Sequence, residues 1–203
     1  MKHPEIFDFT NVQRWKNLCM RKEAISKEWD LMIGNPCTDV LEIPFFTEEF
    51  CDKFLENIEG EELNMVNKWD TRLKSYTFNG HSFYQDYYDV IEEYGFEMMN
   101  HYWSVSGRGF RTMNVNSELL TIEKGDDIRL HHDFVNITKL IKFDKNTDNG
   151  GEIYFDKYDC VIKPKQGHLY IFPGQITHRY GVKMVKEGNV KYMINYCNEN
   201  KGN

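Results

Sequence analysis

Residues 128–143 read IRLHHDFVNITKLIKF, two β-branched apolar runs on either side of His131-His132-Asp133. The alternation on both sides predicts strands over 128–132 and 137–143. In a strand, positions i and i+2 project to one side, so His131 and Asp133 converge while His132 turns away. A second histidine, His178, follows the turn Pro173-Gly174. Two imidazoles and one carboxylate on one face of a metal leave positions open for other ligands, a set that suits non-haem iron(II). Taken alone, an H-x-D triplet arises by chance, and a single histidine is more often hydrogen-bonded than metal-bound. The surrounding order of strands and turns gives the three residues their weight.

Working outward, short strands are predicted near 112–122, 128–132, 137–143, 152–155, 160–163, 168–172 and 191–196. Strands this short and turn-separated indicate a double-sheet roll rather than βαβ units. The preceding part is helical. Apolar residues from Trp15 to Met32 recur at helical spacing, which predicts one helix over 12–31, ended by Asn35-Pro36. Residues 40–46 (VLEIPFF) read as a short strand with Pro44 at an edge or an end. Thr47 is the expected cap of a helix carrying Phe50, Phe54 and Leu55, and a further helix is expected over 82–103. The fold class expected is α+β with a mainly β core. It is a single domain, with residues 1–105 a helical support region containing short strands and residues 106–203 the core with the metal site.

Composition excludes several function classes. An aromatic share of 15% is too high for a disordered chain. A formal net charge of −7 offers no basic stripe for a phosphate backbone, so a nucleic-acid partner is not expected. No apolar run approaches bilayer length and no leader pattern is present, which gives the expectation of a cytoplasmic protein without a membrane partner. The five cysteines never form a C-x-x-C pair, and they read as thiols in a reducing compartment.

The motifs together resemble the 2-oxoglutarate oxygenases of the prolyl and lysyl hydroxylase type. The H-x-D triplet is followed in order by Gly150-Gly151 leading a strand to Phe155, the hairpin from Pro164 to Phe172-Pro173-Gly174, His178, and a basic residue. Tyr158-Asp159-Cys160, Thr177-His178 and the entry segment from Cys37 to Glu59 are similar to the catalytic domain of procollagen lysyl hydroxylases. This resemblance implies a double-stranded β-helix (a jelly roll, cupin-like) buttressed by the N-terminal helices. It implies iron(II) on His131, Asp133 and His178, 2-oxoglutarate as co-substrate, and ascorbate as a candidate reductant. It also implies a ferryl intermediate and hydroxylation of a side chain, first of all lysyl residues of a protein or peptide.

The far carboxylate of 2-oxoglutarate needs a cation in a closed pocket. Lysyl hydroxylases carry arginine in the matching run, whereas this chain has Lys191-Tyr192, so Lys191 is the expected anchor. Arg129, Asn136 and Thr138 are further candidates for contacts with the co-substrate, since they flank the triplet. Lys139, Lys142 and Lys145 read as solvated lysines. Three alternatives stand beside this reading: a prolyl or free small-molecule hydroxylase, a non-catalytic roll that binds metal or ligand, and a zinc hydrolase on the same three residues. The partner is thus a peptide, a protein or a small molecule, and the oligomeric state is open.

Overall fold

The computed structural model describes residues 2–58, 64–66, 74–77, 82–103, 117–145 and 149–198. At the N-terminal end, helix α1 (Val12–Cys19) is capped by the Asn11 side chain, which accepts the Arg14 N–H at 2.9 Å. The single helix expected over 12–31 is instead three: α1, α2 (Lys22–Ser26) and α3 (Trp29–Met32). Two local events divide it. Met20 is extended and bridges Phe46, and Lys27 adopts a left-handed conformation with φ 57° that ends α2. Strands β1 (Gly34–Cys37) and β2 (Val40–Pro44) follow, and β2 stops at its proline. Thr47 caps α4 (Glu48–Ile58) by accepting the Phe50 N–H at 3.1 Å. The short strands β3 (Asn64–Val66) and β4 (Lys74–Thr77) precede the long helix α5 (Ser82–Trp103).

The remaining strands are β5 (Ser117–Glu123), β6 (Ile128–His131), β7 (Ile137–Lys142), β8 (Ile153–Phe155), β9 (Cys160–Ile162), β10 (His168–Pro173), β11 (Tyr180–Val182) and β12 (Asn189–Cys197). Among the described residues they form two antiparallel sheets. The larger runs β1-β2-β10-β7-β12-β5-β4-β3 and the smaller β6-β11-β8-β9. From β5 to β12 the chain passes back and forth between the two sheets. The strand β2 lies inside the larger sheet, between β1 and β10, so its proline marks an end and not an edge.

Each sheet residue faces one of two cores because side chains alternate along a strand. Between the sheets lie Leu120, Ile122, Leu140, Phe155, Phe172, Tyr180, Val190, Tyr192 and Ile194. On the outer face of the larger sheet, Leu119, Ile141, Met193 and Cys197 pack under the helices with Phe46, Phe50 and Tyr94. The rings of Phe50, Phe54 and Phe143 stand 4.8–6.3 Å apart at this contact. Each such buried ring contributes ~1.5–3 kcal/mol relative to exposure. No helix of the described residues is long and apolar enough to cross a membrane.

Two glycines let the loops close over the sheets. Gly150 has φ +90°, and a Cβ there would lie 2.1 Å from the Met184 carbonyl oxygen. At Gly174 a Cβ would meet Thr138 Oγ1 at 2.8 Å. Gly174 instead exchanges backbone hydrogen bonds with the segment after β6. Its carbonyl accepts the Asp133 N–H at 3.1 Å and its N–H donates to the Asn136 carbonyl at 3.0 Å.

Candidate active site

Strand β6 ends at His131, and Asp133 lies in the loop beyond it, tied down by Gly174. The two side chains still converge: His131 Nε2 is 3.3 Å from Asp133 Oδ1. The other ring nitrogen, Nδ1, is 2.9 Å from the Arg129 carbonyl. A carbonyl only accepts, so Nδ1 carries a proton, and in the neutral imidazole Nε2 then holds the lone pair. A lone pair facing a carboxylate oxygen at this distance is favourable only with a cation between them, whether a proton or a metal ion. The donor set, one imidazole and one carboxylate with the second imidazole nitrogen fixed by a carbonyl, fits a divalent metal.

Asp133 is almost fully enclosed, its side chain 4% exposed. Its Oδ2 accepts Thr138 Oγ1 at 2.6 Å and the Tyr180 hydroxyl at 3.1 Å; the same hydroxyl is 3.4 Å from Oδ1. Tyr180 stands opposite His131 in the β6–β11 register, with the two rings 4.6 Å apart. Burial, with the charge of Asp133 added, holds the Tyr180 phenol well above its ordinary pKa, so it stays a donor.

His178 ends a short 3-10 turn (Ile176–His178) before β11 and is buried. Its Nε2 donates to the Thr38 carbonyl at 3.0 Å, and its Nδ1 lies 3.1 Å from Thr177 Oγ1. The ring packs on Tyr158, 4.9 Å between centroids, and against Phe155, which also touches Tyr180. Burial lowers the pKa of His178, with the Thr38 hydrogen bond opposing it. The structure therefore joins His131 to Asp133, while the His178 ring is engaged by the Thr38 carbonyl. Among the described residues no three histidine, cysteine or acidic side chains converge on one point.

The other residues singled out in the sequence fall as follows. Lys191 lies in β12 between Val190 and Tyr192, both of which face the interior, so its own side chain is on the opposite face with Met193. Its N–H donates to Asp144 Oδ2 at 2.5 Å. The Arg129 side chain is exposed, and its carbonyl is what engages His131. Asn136 serves through its carbonyl on Gly174, and Thr138 through its hydroxyl on Asp133. Lys139 and Lys142 are not solvated: both are fully buried, Lys139 on Glu92 under α5 and Lys142 on Asp144 Oδ1 at 2.6 Å. Only Lys145 of the three is exposed, paired with Asp52 at 2.7 Å. Lys142 has the parity of Leu140 in β7, hence it faces the interior, where its Nζ sits 5.4 Å from the Tyr192 ring centre. Burial lowers its pKa and Asp144 opposes that shift. Sequence reasoning missed Tyr180; its position two residues past His178 was the available signal.

No family model matches the chain. By sequence it is 23% identical over 194 residues to mouse procollagen-lysine,2-oxoglutarate 5-dioxygenase 1, covering 87% of this chain and 26% of that protein. It is 25% identical over 202 residues to human procollagen-lysine,2-oxoglutarate 5-dioxygenase 2, covering 89% of this chain and 26% of that protein. It is 23% identical over 221 residues to the Caenorhabditis elegans multifunctional procollagen lysine hydroxylase and glycosyltransferase, covering 97% and 29%. The chain thus spans little more than a quarter of these relatives. Among solved structures, a viral collagen prolyl hydroxylase from Paramecium bursaria Chlorella virus-1 superposes with a TM-score of 0.59 at 16% identity, covering 78% of this chain and 94% of that one. A Pseudomonas putida prolyl-4-hydroxylase superposes with a TM-score of 0.61 at 12% identity, covering 79% and 92%. These structural likenesses bear on the fold.

Proposed function

We propose, on the premise that this chain is a relative of the iron(II)- and 2-oxoglutarate-dependent oxygenases of the prolyl and lysyl hydroxylase type, that it is a hydroxylase of amino-acid side chains. The observation that carries this reading is the 3.3 Å approach of His131 Nε2 to Asp133 Oδ1, with Nδ1 already committed to a carbonyl. His131 and Asp133 would hold iron(II), and His178 would complete the set once its ring turns off the Thr38 carbonyl. Held there, iron(II) would supply activation of dioxygen beside 2-oxoglutarate, whose conversion to succinate and carbon dioxide would accompany insertion of an oxygen atom into a substrate C–H bond. The passage of β5 to β12 between two sheets supports a double-stranded β-helix as the frame.

The protein's own residues divide the remaining work. Thr138 and Tyr180 orient the Asp133 carboxylate. The apolar wall of Phe155, Phe172 and Ile194 excludes water from the space between the sheets. Of the two lysines available for the far carboxylate of 2-oxoglutarate, Lys142 faces this space and Lys191 faces away from it. We therefore assign the anchor to Lys142, which pairs with Asp144 in the absence of co-substrate.

For the substrate, a lysyl side chain of a peptide or protein is the first reading. The named activity of the sequence relatives and the net charge of −7, which favours a basic partner, both support it. The solved prolyl hydroxylases favour a prolyl side chain as the second. The test is succinate formation from 2-oxoglutarate with lysine-containing and proline-containing peptides. Stimulation by the lysine peptides supports the first reading. Stimulation by the proline peptides alone supports the second, and a His131→Ala variant as active as the parent sinks both.

A further inference from the structure

We infer that Tyr180 is a positioning residue that fixes which oxygen of Asp133 meets the metal; the inference rests on the metal site proposed above. The carboxylate is approached from three sides. Thr138 Oγ1 reaches Oδ2 at 2.6 Å and the Tyr180 hydroxyl lies nearer Oδ2 (3.1 Å) than Oδ1 (3.4 Å), while Oδ1 faces His131 Nε2 at 3.3 Å. A carboxylate oxygen has two in-plane lone pairs. Two hydroxyl donors fill those of Oδ2 and leave Oδ1 to a cation shared with His131. The aspartate then acts through one oxygen, and a coordination position that a two-oxygen grip would occupy stays open.

The setting of Tyr180 suits this role. Its ring is 1% exposed and wedged between Phe172, His131 and Phe155, at centroid distances of 5.0, 4.6 and 6.2 Å. The strand beneath it has no slack: a Cβ on Gly181 would meet the Ile128 carbonyl at 2.6 Å. The hydroxyl is therefore delivered by a rigid ring on a pinned backbone, and it approaches from the wall opposite Thr138. Neither hydroxyl touches a reacting atom; each acts through Asp133. A purely structural hydrogen bond to a buried carboxylate would look alike in the fold, but it would leave metal binding unmoved.

The experiment titrates the full chain with cobalt(II) without 2-oxoglutarate, following affinity and the visible ligand-field spectrum. Tyr180→Phe keeps the ring and removes one donor. The expected result is a loss of affinity of about tenfold or more, the scale seen when groups supporting a metal ligand are removed, with an altered spectrum and unchanged circular dichroism. Thr138→Val shows the same signs, and Thr138→Ser restores parental behaviour. Parental affinity and spectrum in Tyr180→Phe overturn the inference while leaving the metal site in place. Cobalt binding by the parent that is no tighter than by His131→Ala overturns the metal site, and this inference with it.

Discussion

The ring of His178 hydrogen-bonds the Thr38 carbonyl through Nε2 at 3.0 Å, while His131 and Asp133 already face each other at 3.3 Å. Two of the three proposed ligands are thus preassembled, and the third must exchange one partner for another. Losing a preassembled ligand costs its whole contribution to binding. Losing His178 costs its contribution less the energy needed to break the Thr38 bond. In equilibrium titrations with iron(II), His131→Ala and Asp133→Ala should therefore lose more affinity than His178→Ala. Equal losses in all three would mean that His178 is as ready as the pair.

Glu42 gives the fold a defined acid limb. Burial pushes its pKa up, but hydrogen bonds from His168, Lys165 and Tyr170 outweigh that and bring it from 4.5 down to about 2. A depressed carboxylate contributes stability above its unfolded pKa and loses it as pH falls toward the folded value. The window is thus from about pH 4.5 down to about pH 2, and the contribution is on the order of 3 kcal/mol. Urea unfolding of Glu42→Gln should show a loss of that order at pH 7 and little difference from the parent near pH 2.

Lys139 and Glu92 form an ion pair under α5, and the lysine is fully buried. Removing one partner leaves a charge without compensation, at about 3–5 kcal/mol, whereas apolar groups at both positions can be nearly neutral. Chemical denaturation of Lys139→Met, Glu92→Leu and the double variant should show the double as more stable than Lys139→Met. A double variant whose loss equals the sum of the singles would contradict this coupling.

Phe134 has φ 58° and its side chain is 67% exposed. A bulky residue in the left-handed region costs on the order of 1–3 kcal/mol, and core burial does not offset it here. Its tilted ring contact with His132, 3.9 Å between centroids, is the compensating contact. Phe134→Gly should raise the thermal midpoint, since glycine adopts this conformation freely. A lower midpoint would show that the ring contact outweighs the strain.

The sequence was legible where a local pattern determines structure. Alternation around His131-His132-Asp133 placed β6 and β7, and Thr47 marked the start of α4. Helical spacing from Trp15 to Met32 misled, because the extended Met20 is set by its bridge to Phe46, a contact no local window contains. The three-residue strand β11 was too short to show a period, so Tyr180 was not placed beside Asp133. Lys139 and Lys142 looked solvated because a lysine's burial depends on a carboxylate brought from elsewhere, and Glu92 comes from a different element altogether. Lys191 depended on strand parity, which a one-residue change of register inverts.

Whether His131 and Asp133 hold iron(II) beside 2-oxoglutarate is tested by anaerobic visible absorption of the protein with iron(II), before and after adding 2-oxoglutarate. The expected result is a new metal-to-ligand charge-transfer band that is absent in Asp133→Ala, and that needs much more 2-oxoglutarate in Lys142→Met but not in Lys191→Met. A folded parent that gives no band at saturating iron(II) and 2-oxoglutarate would contradict the assignment of this site to an oxygenase.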